Sequence, residues 1–289
     1  MVLLATGLLE GMQKLAVWKE MISGYDRQFL WDKDIPDWDD SIEQEKPSIA
    51  FFKSEKAREN TGCVLVIPGG KYLYKSTNEA VNVAKKFNDS GIAAAVLDYR
   101  VVPYARDTIL KDAKRAIRFL RFNAKKYGFD EDKIAVLGFS AGGNLASLCA
   151  LYGDDGDQSS PDPIERMSSR PNATVFCYSA INVVDEYDDD EEFSLISYFD
   201  VVFDREYKHF PPSFIWQSMS DGMINYKTSL ELATVLNEMN VPVEMHLFPY
   251  GDHGQGLADT KKGEINKGDN YLASCWSDLC VRWLKNYGF

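Results

Sequence analysis

Short apolar runs alternate with amphipathic stretches along most of the chain. The runs "CVLVIP" (63–68) and "IAAAVLDY" (92–99) are continuously apolar and of strand length, which is typical of strands buried on both faces. Further runs predict strands at 133–139, 173–181, 213–218 and 243–249. Apolar residues that return every three or four positions predict helices at 77–91, 107–127, 225–240 and 269–287, and one more directly after Ser140.

This alternation predicts an α/β protein with a mostly parallel sheet covered by helices on both faces. Two runs near the start, 26–32 and 47–54, have no helical pattern between them and predict an antiparallel edge. Asn225 is a candidate cap for the helix that follows it. We expect residues 1–289 to form one domain, since a chain of this length can build a single large core.

Two polar segments interrupt the alternation. Residues 152–172 and 182–210 are rich in turn-forming or acidic residues, and we interpret them as surface excursions that form a partial lid. The acidic run at 185–192 is interpreted as a solvated surface, because such runs are commonly solvated and only rarely bind metals.

Charge and cysteine content narrow the functional classes. The net charge of −12 argues against binding to nucleic acids or anionic membranes, which requires a basic face. The five cysteines are odd in number and show no metal-binding spacing, so we expect a reducing, cytoplasmic location and no metal. The N-terminal apolar run lacks a basic flank, so we expect no signal peptide, and no apolar stretch is long enough for a membrane span. The sequence leaves a homodimer open.

The segment "VLGFSAGG" carries the first chemical signal. Gly138, Ser140 and Gly142 fit the pattern G-x-S-x-G, which follows an apolar strand and precedes a helix. This is the context in which the pattern forms a nucleophile elbow. Small residues around the serine permit a tight turn that exposes its hydroxyl, at a helix N-terminus where the helix dipole favours negative charge.

A serine nucleophile needs a base and an orienting carboxylate. Of the three histidines, His246 lies within a predicted strand and His209 lies in a loop without catalytic context. His253 lies in the glycine-rich loop "PYGDHGQG" after a predicted strand, where sheets of this kind build their sites. Asp221 follows another strand and falls between Ser140 and His253, which gives the chain order Ser, Asp, His. The rival Asp252 is adjacent to the histidine and poorly placed to orient it.

The segment "CVLVIPGGKY" is the candidate source of an oxyanion hole. Its strand ends in two glycines, Gly69 and Gly70, whose backbone N–H groups can approach a tetrahedral intermediate closely. The N–H of Ala141, directly after the nucleophile, is the second expected donor.

Two long segments resemble a known family. Residues 98–146, from "DYRVVPY" to "SAGGNLA", and 211–257, from "PPSFIWQS" to "DHGQGL", are similar to the carbohydrate acetylesterase and xylan-esterase-like α/β-hydrolases. The resemblance covers about residues 60–260. It implies an α/β-hydrolase fold and acetylated sugars as substrates.

The chain departs from that family's pattern at three positions and in the segment 182–210, which is divergent and acidic and lies where a lid or substrate wall would fall. Lys71 stands where the family usually has a third glycine, Asn144 where it often has histidine, and Asn225 where it has proline in D-x-x-V-P. Together with Tyr72, Lys71 and Asn144 are candidates for the wall of the substrate pocket. Lys71 is expected to point to solvent, as lysines usually do.

These features predict a serine carboxylic-ester hydrolase for short acyl esters that works through an acyl-enzyme and needs no cofactor. Arylformamidases and serine peptidases share the same architecture, so the sequence leaves both open. A ligand-binding protein on a non-catalytic hydrolase scaffold is the alternative from another class, although all three residues of the triad are present.

Overall fold

An eight-stranded sheet runs through the molecule. The computed structural model describes residues 2–56, 61–182, 199–204, 207–259 and 270–289. The strands are β1 Arg27–Phe29, β2 Ser48–Phe52, β3 Cys63–Ile67, β4 Ala93–Asp98, β5 Ile134–Phe139, β6 Ala173–Cys177, β7 Ser213–Ser218 and β8 Val243–Phe248. Their order across the sheet is β1-β2-β4-β3-β5-β6-β7-β8.

The sheet is mostly parallel, as the sequence predicts. Strands β3 to β8 all pair in parallel, whereas β1 and β2 pair antiparallel at one edge. Every residue of β3 to β7 is buried, which explains why these strands read as unbroken apolar runs.

Helices cover both faces of the sheet. They are α1 Val2–Ser23, α2 Val81–Asp89, α3 Arg106–Tyr127, α4 Ala141–Tyr152, α5 Tyr226–Glu238, α6 Asn270–Ala273 and α7 Trp276–Asn286. Alternate residues of each strand point to opposite faces, so Leu65 belongs to the hydrophobic cluster that includes residues of α3, α4 and α5, whereas Val64 belongs to the cluster that includes residues of α1, α2 and α7. The predicted α/β architecture is therefore confirmed, and the single-domain assignment stays a prediction.

The helix ends follow local chemistry where the sequence signals are strong. Gly128 ends α3 in a left-handed conformation, with φ of 80°. The Asn225 side chain accepts the N–H of Lys227 and caps α5, as predicted. The expected C-terminal helix is instead two helices separated by Ser274 and Cys275, and the predicted stretch 77–91 begins with a 3-10 turn, Thr77–Glu79, before α2. Within the described residues, no helix is both long and apolar enough to cross a bilayer.

Residues 152–172 lie at the end of the sheet away from Ser140, and their part in a lid stays a prediction. They begin at the end of α4 opposite Ser140 and return at the amino-terminal edge of the sheet, where Asn172 N–H donates to the Ile134 carbonyl. Ion pairs fasten them to α3: Arg115 binds Asp162 and Glu165, and Arg118 binds Asp154. Of the second excursion, residues 183–198 and 205–206, and with them the acidic run 185–192, lie outside the described residues, so a lid there stays a prediction.

Candidate active site

Ser140 occupies a turn of one residue between β5 and α4. Its backbone has φ of 49° and ψ of −118°, a conformation that costs energy for a residue with a side chain. A Cβ atom at Gly138 would collide with the carbonyl of Gly142, and one at Gly142 would collide with the carbonyl of Ile67. The two flanking glycines are therefore a steric requirement of this turn.

His253 and Asp221 lie beside Ser140 at the carboxyl ends of the strands. His253 Nε2 is 2.8 Å from Ser140 Oγ, and His253 Nδ1 is 2.8 Å from Asp221 Oδ2. Asp221 follows β7 and His253 follows β8, so three separate loops meet at one edge of the sheet. The structure thus brings together the three residues that the sequence suggests as a triad.

The Asp221 carboxylate is held by several donors. Its Oδ1 accepts the N–H groups of Met223 at 2.9 Å and Ile224 at 3.0 Å, and its Oδ2 accepts Gln217 Nε2 at 2.9 Å. The Gln217 amide is fixed in turn by Ser229 Oγ. Gln217 was not among the predicted residues, but it is the one amide in the buried strand "SFIWQS", a position that calls for a partner.

His253 also rests on an aromatic ring. The Tyr178 ring meets the imidazole edge-on, with centroids 4.9 Å apart. Neither of the other histidines contacts Ser140: His246 pairs with Glu244 on the edge strand β8, and the His209 ring packs on Tyr207.

The described residues contain no group of three or more His, Cys, Asp or Glu side chains placed to hold a metal.

The predicted oxyanion donors need one correction. The Gly69 N–H donates to the buried carboxyl group of Glu79 at 2.8 Å, so Gly69 has no N–H to offer an oxyanion. The N–H groups of Gly70, Lys71 and Ala141 make no hydrogen bond within the part of the chain that the structure describes. The sequence could not distinguish Gly69 from its neighbour, because the acceptor lies ten residues further along the chain.

The predicted pocket wall is also corrected. Tyr72 and Asn144 are both fully buried, and the Tyr72 hydroxyl donates to Asn144 Oδ1 at 2.9 Å. The Asn144 amide donates to the Phe199 carbonyl, so both side chains are packing elements and do not line an open pocket. Lys71 is exposed, as expected. Its φ of 56° explains why glycine suits this position in the resembled family.

Comparison with known proteins identifies the family. The model of the BD-FAE family matches residues 49–198, more than half of the chain. The chain is 29% identical, over 81% of its length, to endo-1,4-beta-xylanase B of Butyrivibrio fibrisolvens. It is 25% identical, over 67% of its length, to an acetylxylan esterase of Xylanibacter ruminicola. The chain spans 38% of the first relative and 41% of the second.

A solved structure matches over nearly the whole chain. The acetyl ester-xyloside bifunctional hydrolase of Caldicellulosiruptor lactoaceticus is 35% identical, with a TM-score of 0.77, and the match covers 91% of this chain and 97% of that one. A metagenomic α/β-hydrolase, MGS-M1, matches with a TM-score of 0.66 at 26% identity. These relatives confirm the predicted resemblance to esterase-type α/β-hydrolases. The chain belongs to the BD-FAE family of α/β-hydrolases.

Proposed function

We propose that the chain is a serine carboxylic-ester hydrolase that removes short acyl groups, in particular acetyl groups from xylan-type sugars. The observation that carries this proposal is the pair of 2.8 Å contacts that joins Ser140, His253 and Asp221. Two hydrogen bonds in this order give a serine a base and give the base an orienting carboxylate.

Acylation follows from this geometry. His253 Nε2 accepts the proton of Ser140 as Oγ attacks the ester carbonyl, and Asp221 stabilises the imidazolium that forms. The proton then passes from Nε2 to the departing alcohol oxygen when the C–O bond breaks. Ser140 is left as an acyl ester, and His253 is again neutral.

Deacylation repeats these steps with water. His253 accepts a proton from water, whose oxygen attacks the acyl carbonyl, and it then returns the proton to Ser140 Oγ as the acid leaves. In both halves we assign the oxyanion to the N–H groups of Ala141 and Gly70, with Lys71 N–H beside them. Removing one such donor typically costs about 2.7–4 kcal/mol of transition-state stabilisation.

The substrate class rests on the relatives. One curated relative is named acetylxylan esterase, and the solved structure of highest identity among those described above acts on an acetyl ester and a xyloside. Acetylated xylo-oligosaccharides are therefore the substrates to test first. Because the chain spans about two fifths of its curated relatives, the activity of any longer protein that contains it is part of the same proposal.

The first experiment compares the wild type with Ser140→Ala on p-nitrophenyl acetate. We expect the variant to lose at least about 10³-fold in kcat/KM, because no other group replaces the nucleophile. The proposal fails if the two proteins hydrolyse the ester equally fast. Asn225→Ala, which removes a helix cap outside the triad, is the control that should keep its activity.

A second experiment separates the alternatives on the same scaffold. The wild type is offered acetylated xylo-oligosaccharides, N-formylkynurenine and aminoacyl amides, and kcat/KM is measured for each. We expect the acetylated sugars to be preferred. Preference for the formamide or the amide would assign an arylformamidase or a peptidase instead, and no turnover combined with no labelling of Ser140 by a fluorophosphonate would indicate a binding protein.

The proposal also covers the cellular location of the protein and its oligomeric state. All five cysteines are free, which agrees with a cytoplasmic, reducing environment. A homodimer is tested by light scattering of the purified chain at several concentrations.

A further inference from the structure

Glu79 is a buried carboxylic acid that the proposed reaction does not use. It ends the 3-10 turn that precedes α2, and only 2% of it is exposed. Burial raises its pKa, which hydrogen bonds from Tyr178 and Gly69 and the proximity of His253 oppose. A buried carboxyl group is costly unless its oxygens are paired, so its partners indicate its role.

One oxygen of Glu79 binds the loop at residues 68–76, here called the oxyanion loop. Oε2 accepts the Gly69 N–H at 2.8 Å. A Cβ atom at Gly69 would lie 2.9 Å from Ser140 Cβ and 3.0 Å from Glu79 Oε2. The Gly69 backbone therefore lies between the nucleophile and the carboxyl group, directly before Gly70 and Lys71, whose N–H groups have no partner among the described residues.

The other oxygen is linked to the loop at residues 249–259, here called the histidine loop. Oε1 accepts the Tyr178 hydroxyl at 2.7 Å, and that hydroxyl accepts the Gly256 N–H at 2.9 Å. Burial raises the pKa of Tyr178 well above its ordinary value, so the hydroxyl keeps its proton and donates. The same ring packs edge-on against His253.

Asn78, the residue before Glu79, makes a further contact with the histidine loop. Asn78 Nδ2 donates to the Gly254 carbonyl at 2.5 Å, so two successive residues hold the histidine loop while Glu79 also holds the oxyanion loop. Catalysis requires the N–H donors and the base to be held within about half an ångström of their productive positions.

We infer that Glu79 is a positioning residue for the proposed reaction, because its carboxyl group joins the oxyanion loop to the histidine loop through Gly69 and Tyr178. This inference rests on the proposed function, since it is the hydrolysis at Ser140 that the positioning would serve. Glu79 does not touch the substrate. It fixes the distance between the N–H groups of Gly70 and Lys71 and the His253 imidazole.

The test uses Glu79→Gln and Tyr178→Phe. The amide offers one acceptor where the carboxylate offers two, and phenylalanine keeps the ring on His253 but removes the hydroxyl. Thr174→Val is the matched control: Thr174 is fully buried on β6, the strand that leads to Tyr178, and its hydroxyl pairs with Ser213 Oγ at 2.7 Å. It lies at the opposite end of that strand from Tyr178.

Three quantities are measured: kcat/KM on p-nitrophenyl acetate, the Ki of a trifluoromethyl ketone whose adduct bears an oxyanion, and the thermal midpoint. We expect each network variant to lose about 10- to 100-fold in kcat/KM. The Ki should rise by the same factor, because the analogue reports transition-state binding.

The double variant Glu79→Gln with Tyr178→Phe should lose about as much kcat/KM as the more strongly impaired single variant, because both substitutions break the same network. Thr174→Val should lower the thermal midpoint and keep kcat/KM and Ki within about twofold.

The inference is overturned if Glu79→Gln is folded and keeps kcat/KM and Ki within twofold, or if Thr174→Val loses as much as the network variants. If Glu79→Gln does not fold, Tyr178→Phe decides by the same criteria. Ser140→Ala distinguishes a failure of the proposed function from a failure of this inference. If Ser140→Ala is active, the proposed function is refuted. If Ser140→Ala is inactive and the network variants keep their activity, only the role of Glu79 is refuted.

Discussion

At the scale of single residues, the orientation of the His253 ring is the feature on which the proposed chemistry depends most. Its Nδ1 faces Asp221 and its Nε2 faces Ser140, so the tautomer with the proton on Nδ1 leaves Nε2 free to act as a base. The donors around Asp221, including Gln217, hold its carboxylate against Nδ1, which favours this tautomer.

Asp221→Asn should therefore cost much more activity than stability. An amide at this position donates to Nδ1 and selects the wrong tautomer, a change that lowers kcat by about 10⁴-fold in a serine protease. We expect a loss of about 10³- to 10⁴-fold in kcat/KM on p-nitrophenyl acetate. A loss below tenfold would mean that another group orients His253, and Ser140→Ala gives the baseline.

Gly142→Ala tests the steric basis of the turn at Ser140. A Cβ atom at this position would collide with the carbonyls of Ile67 and Pro68, the latter at 2.7 Å, so β3 or α4 must move. We expect a loss of about 1–3 kcal/mol in the free energy of unfolding, measured with urea. At Gly222 an added Cβ has no heavy atom within 4 Å, so Gly222→Ala should remain within about 0.5 kcal/mol. Equal effects at both glycines would contradict the steric argument.

Chain order and local context are enough to predict the triad residues, because each one follows an apolar strand. The donors of the oxyanion hole are harder to predict from chain order and local context. Gly69 and Gly70 are equivalent in sequence, and they differ only because Glu79 folds back onto the first of them. The burial of Tyr72 and Asn144 is hidden from the sequence for a similar reason, since their mutual hydrogen bond joins positions 72 residues apart.

At the scale of elements, the parallel strands were predictable because burial on both faces makes them continuously apolar. The position of the excursion at 152–172 was not predictable from the sequence. It depends on ion pairs with arginines of α3, and the paired residues are 36 to 50 positions apart in sequence. The sequence shows polar residues there, and only the fold shows that α3 is their partner.

Asp154 makes the contribution of this excursion to the free energy of unfolding depend on pH. Partial burial raises its pKa, but hydrogen bonds from Lys114 and Gly156 and the charge of Arg118 outweigh burial and lower the pKa to about 2. A carboxylate with a depressed pKa stabilises the fold above its ordinary pKa, near 3.8, and this stabilisation is lost as the pH falls towards 2. Because Asp154 is more than a third exposed, solvent screening keeps the effect to about 1 kcal/mol or less.

The measurement compares the free energy of unfolding of the wild type and Asp154→Asn between pH 7 and pH 2. We expect the wild type to be more stable at pH 7 and the difference to vanish between about pH 4 and pH 2. A difference that stays constant over this range would show that the substitution acts through packing and not through the charge.

At the scale of the whole molecule, the N-terminal helix is tied to the same part of the sheet that supports the site. Trp18 of α1 is buried, and its Nε1 donates to Asp98 Oδ1 at 2.9 Å. Asp98, at the end of β4, also binds Lys75 of the oxyanion loop at 2.7 Å and Arg27 of β1 at 2.9 Å. One buried carboxylate thus joins the helix, the antiparallel edge and the loop.

Trp18→Ala tests whether this attachment contributes to global stability. The substitution removes a large apolar side chain from the hydrophobic cluster that also contains Ile22 and Val96, and it leaves Asp98 with one donor fewer. We expect a loss of about 3–5 kcal/mol in the free energy of unfolding in urea, the usual cost of truncating a buried tryptophan. Val17→Ala is the control on the neighbouring position: Val17 is 54% exposed, so its truncation should cost about 0.5 kcal/mol or less. If both variants unfold at the urea concentration of the wild type, α1 contributes little to the stability of the sheet, and the Asp98 cluster is then held by Lys75 and Arg27 alone.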